Sequence, residues 1–223
     1  MTKTRIKDQR RVNDFYARKA RQENFPARSV YKLQEVDEKY GLLRPCFRVL
    51  DLGCAPGSWT MYAAGRVGPT GRVVGLDLNP AEARTGGAVT VLEADVFALT
   101  PESLPGALVE AGPFDVVLSD MAPKTTGQRS VDQARSLRLC QAALDLARAV
   151  LKPGGAFLFK IFQGPDADEF CRETADFFDV FRRIKPKSSR SFSPEIFGLG
   201  LKFRPKHIAG TGAGEGGAGH VGP

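Results

Sequence analysis

Four side chains sit where a chain of this kind could do chemistry: Asp77, Asp95, Asp120 and Lys160. Each closes or lies within a short apolar run, as in Leu118-Ser119-Asp120-Met121-Ala122-Pro123 and Phe157-Leu158-Phe159-Lys160-Ile161-Phe162. In open α/β sheets, ligands bind beyond the carboxyl ends of the strands. Acids at those ends suit ribose hydroxyls, an exocyclic amine or a cationic centre. A lysine inside an apolar run faces a cleft or snorkels outward. In a cleft it loses water, which favours the neutral, basic amine.

The stretch Val49-Leu50-Asp51-Leu52-Gly53-Cys54-Ala55-Pro56-Gly57-Ser58-Trp59 reads as a nucleotide-binding turn. Small residues let the backbone approach a ligand, and the N–H groups of the following helix favour an anion. Asp77 lies twenty residues beyond Gly57, where such folds place the acid for ribose hydroxyls. The turn alone leaves a dinucleotide and S-adenosyl-L-methionine both open. Pro56 stiffens the turn and Asp95 could accept from an adenine amine, and both features favour the sulfonium cofactor. His207 and His220 lie at or within a Gly-rich end, which argues against a histidine catalyst, and no Tyr-x-x-x-Lys pair supports an oxidoreductase.

These groups need strands and helices in alternation to hold them. The spacing predicts strands over Arg48–Leu52, Arg72–Leu78, Val89–Glu93, Phe114–Ser119, Ala156–Ile161, Val180–Ile184 and Ile196–Phe203. Helices are expected over Val30–Lys39 (Ser29 as cap, Gly41 as stop), Trp59–Val67, Pro101–Ala111, Val131–Leu151 and Asp166–Phe178. Such alternation predicts a doubly wound α/β sheet, parallel at its centre. Residues 1–27 read as a basic arm or helix, 28–206 as the folded domain, and 207–223 as a Gly-rich disordered tail.

Charge is segregated. Residues 1–48 carry 13 Lys and Arg against 6 Asp and Glu, residues 49–181 carry 11 against 17, and residues 182–206 carry 8 against 1. Basic ends around an acidic middle suit a polyanion. Arg5, Lys7, Arg10, Arg11, Arg18, Lys19 and Arg21 interleave with Phe15, Tyr16 and Phe25. Lys185, Lys187, Arg190, Lys202, Arg204 and Lys206 lie near Phe192, Phe197 and Phe203. Cations grip phosphates while aromatic faces stack unpaired bases, so RNA is the expected partner. The 223 residues, 42% of them hydrophobic, suffice for one well-packed domain. No run of about 18 apolar residues occurs, and the polar start lacks a secretory apolar segment. Cys46, Cys54, Cys140 and Cys171 are scattered without metal-ligand spacing. A cytoplasmic monomer without metal is the expectation.

Five segments occur in order: Arg28-Ser29-Val30-Tyr31-Lys32-Leu33, Asp51 through Trp59, Ser119 through Pro123, Lys160-Ile161-Phe162-Gln163-Gly164, and Lys187-Ser188-Ser189-Arg190 through Glu195. Together they resemble the FtsJ-type family of RNA 2′-O-ribose methyltransferases. The resemblance spans about residues 10–205. It implies a Rossmann-like methyltransferase fold whose seven-stranded sheet has its last strand antiparallel. It implies Lys32, Asp120, Lys160 and Glu195 as a catalytic tetrad, and Gly57, Trp59, Asp77, Asp95 and Asp120 as the S-adenosylmethionine site. Cys54 and Ser58 replace smaller residues, and Pro194 precedes Glu195, which bears on how that acid is oriented. The compact bacterial members acting on a uridine ribose of large-subunit ribosomal RNA are most similar. A tRNA-modifying member is the alternative, and a non-catalytic RNA-binding assembly factor is a third reading that the intact tetrad opposes.

Overall fold

The computed structural model describes residues 15–79, 87–190 and 193–205. Helix α1 covers residues 15–22. It is followed by α2 (Val30–Tyr40), β1 (Arg48–Leu52), α3 (Ser58–Val67), β2 (Arg72–Asp77), β3 (Val89–Glu93), α4 (Gly106–Ala111) and β4 (Phe114–Ser119). The long α5 (Arg129–Val150), β5 (Leu151–Phe162), α6 (Pro165–Ala175), β6 (Phe178–Ile184) and β7 (Glu195–Phe203) complete the chain.

The strands form one sheet in the order β3-β2-β1-β4-β5-β7-β6. Its first five neighbours pair in parallel. Strand β7 alone runs against them, antiparallel to both β5 and β6. The seven-stranded sheet with a reversed last strand is therefore present. Alternate residues serve opposite faces, as strand geometry requires. Val49, Val73, Val116, Leu118 and Leu158 pack with α2 and α3. Leu50, Val74, Val117, Phe157 and Phe159 pack with α4, α5 and α6. Both faces of the central strands are covered, which is why their sequences read as continuous apolar runs. In β7, a Cβ on Gly198 would collide with the Phe159 ring, so glycine there lets the aromatic lie on the strand.

Most predicted elements are found within a residue or two. The exceptions have local causes. Helix α4 starts at Gly106 rather than Pro101, because Pro105 occupies its N-cap and Thr100 and Ser103 close a separate turn. Strand β5 starts at Leu151 rather than Ala156, since Pro153-Gly154-Gly155 is absorbed as an irregularity in its pairing with β4. Phe178 opens β6 instead of ending α6. Gly41 ends α2 in the left-handed region as expected, whereas Ser29 stands at the N-cap without a side-chain cap bond. The expectation of disorder for residues 207–223 lies outside the described residues, as do Arg5, Lys7, Arg10, Arg11, Phe192 and Lys206.

Candidate active site

Beyond the carboxyl ends of β1, β2, β3 and β4 lies a cavity of about 360 Å³, walled by Gly53, Ala55, Asp77, Asp95, Asp120 and Met121 among others. Its floor is the turn after β1. The Gly53 and Cys54 N–H groups donate to the Leu76 carbonyl at 2.8 and 3.2 Å, tying the turn to β2. Gly53 has φ +73°, and a Cβ there would lie 2.5 Å from Cγ of Met121. The position therefore admits glycine on two counts, backbone conformation and space. Asp77 accepts from Ala55 N at 3.0 Å and Asn79 N at 2.9 Å, so this acid both braces the turn and faces the cavity. Asp95 accepts from Phe97 N at 2.9 Å and so caps the short 3₁₀ turn Val96–Ala98. Leu78 and Phe97, 58% and 51% exposed, give the cavity apolar walls.

Gly57 and the Trp59 indole do not line this cavity. Gly57 is the N-cap of α3, with φ +99°. Trp59 is buried: its Nε1 donates to the Ser29 carbonyl at 2.9 Å and its ring packs on Phe197 with centroids 5.9 Å apart. The indole thus joins the α2 and α3 layer to β7. What Gly57 and Trp59 can offer a ligand is the start of α3, whose first-turn N–H groups have no i−4 carbonyl to bond.

Below the turn, Asp51 is fully buried and accepts from Thr60 Oγ1 at 2.6 Å, while its Oδ1 has no hydrogen-bond partner. Burial pushes its carboxyl up to about 7, with Asp120 and Asp77 adding to the shift and Thr60 opposing it.

A second cavity, about 730 Å³, adjoins the first and shares Ala122 as a wall. Arg129, Gln133, Lys160, Phe162, Arg190 and Glu195 line it. At the seam, Lys160 Nζ lies 2.7 Å from Asp120 Oδ1 and donates to the Asp120 carbonyl at 2.5 Å. Lys160 is in β5 and Asp120 directly follows β4, so parallel pairing of these strands sets the contact. Glu195 opens β7, opposite Phe162 of β5. Its Oε1 is 2.7 Å from Lys32 Nζ, which reaches across from α2. Burial alone would raise the Glu195 carboxyl, but the charge and hydrogen bond of Lys32, with Ser189 and Lys160, hold it below the usual carboxylate range. Two ion pairs thus stand on adjoining strands, and Lys32, Asp120, Lys160 and Glu195 are brought together. A nearly buried lysine held by a carboxylate at the seam of two cavities is placed to meet a polar group bound in either.

Several groups outside the expected catalytic and cofactor sets shape the acceptor side. Asp132, in the first turn of α5, accepts from Thr126 N at 2.7 Å, Thr126 Oγ1 at 2.9 Å and Gly127 N at 3.2 Å, folding the β4–α5 loop into a cavity wall. Glu35 accepts from Lys187 N at 2.9 Å on Oε1 and 2.8 Å on Oε2, and from Ser188 N at 3.4 Å, pinning the chain after β6 to α2. Lys185 turns inward onto backbone carbonyls. The only sequence signal for Asp132 was its place in a helix's first turn; Glu35 had none, and Lys185 read only as one of the cations expected to meet phosphates.

The basic ends are partly committed to internal contacts. Arg204 pairs with Asp179 at 3.2 Å and Arg183 with Asp168 at 2.5 Å. Phe197 and Phe203 belong to the core, and Tyr16 and Phe25 pack around Tyr31. Phe15, 54% exposed, keeps an open ring. Arg190 lines the acceptor cavity. Burial first, and then the charge of Arg190, depress the Arg28 guanidinium from its ordinary value. Among the described residues there is no cluster of three or more His, Cys, Asp or Glu suited to a metal ion, and no helix long and apolar enough to cross a membrane.

Comparison with known proteins bears on this pair of cavities. The family profile of FtsJ-like methyltransferases matches residues 25–203. The chain is 49% identical over 195 residues to the "Ribosomal RNA large subunit methyltransferase E" of Oleidesulfovibrio alaskensis, covering 87% of this chain and 94% of that protein. It is 48% identical over 202 residues to the protein of the same name from Nitratidesulfovibrio vulgaris, covering 91% and 98%. Among solved structures, one assigned to a ribosomal RNA methyltransferase of Plasmodium falciparum superposes with a TM-score of 0.70 at 24% identity, covering 80% of this chain and 98% of that one. Aeropyrum pernix fibrillarin, crystallised with S-adenosyl-L-methionine, superposes with a TM-score of 0.55 at 16% identity over 78% and 76% of the chains, a likeness of fold. From the profile match and the near full-length relatives together, the chain belongs to the FtsJ-like methyltransferase family and is a methyltransferase.

Proposed function

We propose that this chain methylates the 2′-hydroxyl of a ribose in large-subunit ribosomal RNA, at a uridine, using S-adenosylmethionine. The first cavity fits that cofactor. Three carboxylates, Asp77, Asp95 and Asp120, face a space of about 360 Å³ whose other walls are small or apolar. That donor set suits ribose hydroxyls, an exocyclic amine and a positively charged ligand end. Asp77 would take the ribose, Asp95 the adenine amine and Asp120 the cationic end, with Leu78 and Phe97 beside a flat ring. Trp59 would contribute its backbone N–H at the start of α3, and Gly57, whose own N–H donates to the Cys54 carbonyl at 2.6 Å, would allow close approach of the ligand by lacking a side chain. When bound, the cofactor supplies an electrophilic methyl group on a positively charged sulfur.

The rest is the work of the chain. A ribose hydroxyl is a poor nucleophile, so catalysis needs alignment and removal of one proton. Holding the reacting atoms in line contributes up to about 7–11 kcal/mol in favourable systems. A positioned base adds roughly 10²–10⁴-fold. Lys160 Nζ, in its neutral form, takes the hydroxyl proton. Asp120 orients that amine from the cofactor side. Lys32 and Glu195 close the acceptor side, holding the hydroxyl in line. Arg129 and Arg190 meet phosphates flanking the target, and Phe162 offers a face to its base.

The single observation that carries this reading is the Lys160–Asp120 pair, 2.7 Å long, standing at the seam of two cavities. Ribosomal RNA as acceptor is supported by the names and the near full-length similarity of the relatives. The test is incubation with methyl-labelled S-adenosylmethionine and either free ribosomal RNA or large ribosomal subunits, followed by alkaline hydrolysis. The expected result is label in an alkali-resistant dinucleotide, since a 2′-O-methyl blocks cleavage of the adjacent linkage. Label confined to bases, or to tRNA in a mixed pool, would refute it.

A further inference from the structure

The lip that presents Glu195 has an unusual support. Strand β6 ends at Ile184, just before Lys185, and Glu195 is the first residue of β7. Pro194 has no N–H, so the chain cannot brace itself at this residue by donating from it. The three successive carbonyls of Ser193, Pro194 and Glu195 are held from outside instead. Gln163 N donates to the Pro194 carbonyl at 2.8 Å. Lys185 Nζ takes both of its neighbours, donating to the Ser193 carbonyl at 2.6 Å and the Glu195 carbonyl at 2.5 Å. One ammonium therefore joins the end of β6 to both sides of the residue bearing the carboxylate. That carboxylate then meets Lys32 at 2.7 Å.

We propose that Lys185 is a positioning residue for methyl transfer: its ammonium fixes the Ser193–Glu195 backbone so that the Glu195 carboxylate holds Lys32 at the acceptor cavity. Composition places Lys185 among the phosphate-gripping cations, but its Nζ is directed to the chain's own carbonyls. Burial lowers its hold on a proton, with Lys32 adding to that and Glu195 opposing it, so it stands within the field of the Lys32–Glu195 pair. The residue is exposed, yet its Nζ is engaged by two carbonyls of its own chain. Misplacing a reacting or orienting group by about 1 Å costs on the order of 10²-fold in rate. Loss of the clamp is therefore expected to lower turnover by about 10–100-fold.

The inference rests on the proposed methyl transfer, and its test separates the two. Wild-type turnover on ribosomal RNA judges the reaction; ratios among variants judge Lys185. Lys185→Met should reduce kcat by about 10–100-fold, with RNA affinity, its salt dependence and S-adenosylmethionine affinity unchanged, and Lys185→Arg should restore part of the loss. In a Glu195→Gln background, Lys185→Met should change kcat by less than about threefold, because the two act through one geometry. An independent readout needs no turnover. The ¹³C signal of the Glu195 carboxyl should titrate at higher pH in Lys185→Met than in the wild type, and Lys185→Arg should bring it back towards the wild-type position. A rise in RNA Kd with a salt slope reduced by about one phosphate contact and unchanged kcat would overturn the proposal. So would an additive loss in the double variant, or an unmoved Glu195 titration.

Discussion

Replacing Lys160 by arginine separates a base from a fixed positive charge. Lys160 is 7% exposed, and its Nζ meets both the carboxylate and the carbonyl of Asp120. Arginine keeps the cation and can pair with Asp120, but a guanidinium is not deprotonated in proteins. If Nζ accepts the ribose proton, Lys160→Arg must fail as badly as Lys160→Met. The expected loss is the contribution of a positioned base, roughly 10²–10⁴-fold, or about 3–5 kcal/mol of barrier. Stability suffers separately. Methionine leaves the Asp120 carboxylate without its cation, and a broken buried pair costs about 3–5 kcal/mol. The Asp120 side chain is 17% exposed, however, so water recovers part of this and about 1–3 kcal/mol is expected. Single-turnover transfer to ribosomal RNA at saturating cofactor measures the first effect, and urea unfolding measures the second. Calorimetric binding of S-adenosylmethionine should remain within a few-fold for both variants. Turnover by Lys160→Arg within about tenfold of wild type would refute proton removal by Lys160, since a charge that cannot take a proton would have sufficed.

Other perturbations test other parts of the site. Gly53→Ala combines a left-handed backbone cost of about 1–2 kcal/mol with a Cβ placed 2.5 Å from Met121 Cγ. A total loss of about 2–4 kcal/mol in urea unfolding is expected, with weakened S-adenosylmethionine binding, and unchanged binding would show that this wall yields. Asp51, pushed up to about 7, keeps a proton in the folded chain that the unfolded chain releases near pH 3.9. Stability should therefore fall as pH rises from about 4 to about 7 and level off above. Asp51→Asn should be the more weakly pH-dependent protein between pH 5 and 8 in urea titrations, and equal slopes would show that Asp51 is ionised when folded. Glu195 works the opposite way, because its depressed carboxyl stabilises the fold above the unfolded value and loses that contribution as pH falls.

What the sequence made legible follows from periodicity and punctuation. The central strands are sandwiched, so their apolar runs stood out, and the acids ending them marked one edge of the sheet. Asp77, Asp95, Asp120 and Lys160 were readable for that reason. Lys32 and Glu195 were different. Nothing local marks either as a partner of the other, 163 residues apart, and only the family resemblance joined them before the sheet order did. Trp59 shows the limit of motif position: a residue beside the turn after β1 can direct its side chain into the core between α2, α3 and β7 instead of at the cavity. Lys185 shows the limit of charge counting, since a tally of cations carries no direction. Phe197 and Phe203 read as neighbours of the basic stretch but alternate into the core, where the reversed strand takes them.

The placement of β7 between β5 and β6 has a consequence for synthesis on the ribosome. Strand β6 pairs with nothing but β7, so it has no berth in the sheet until its successor arrives. A nascent chain that stops short of residue 195 carries Asp77, Asp95, Asp120 and Lys160, yet lacks Glu195 and the Phe197 ring that packs on Trp59. Interrupted translation therefore leaves one side of β5 unpaired and Lys32 without its carboxylate.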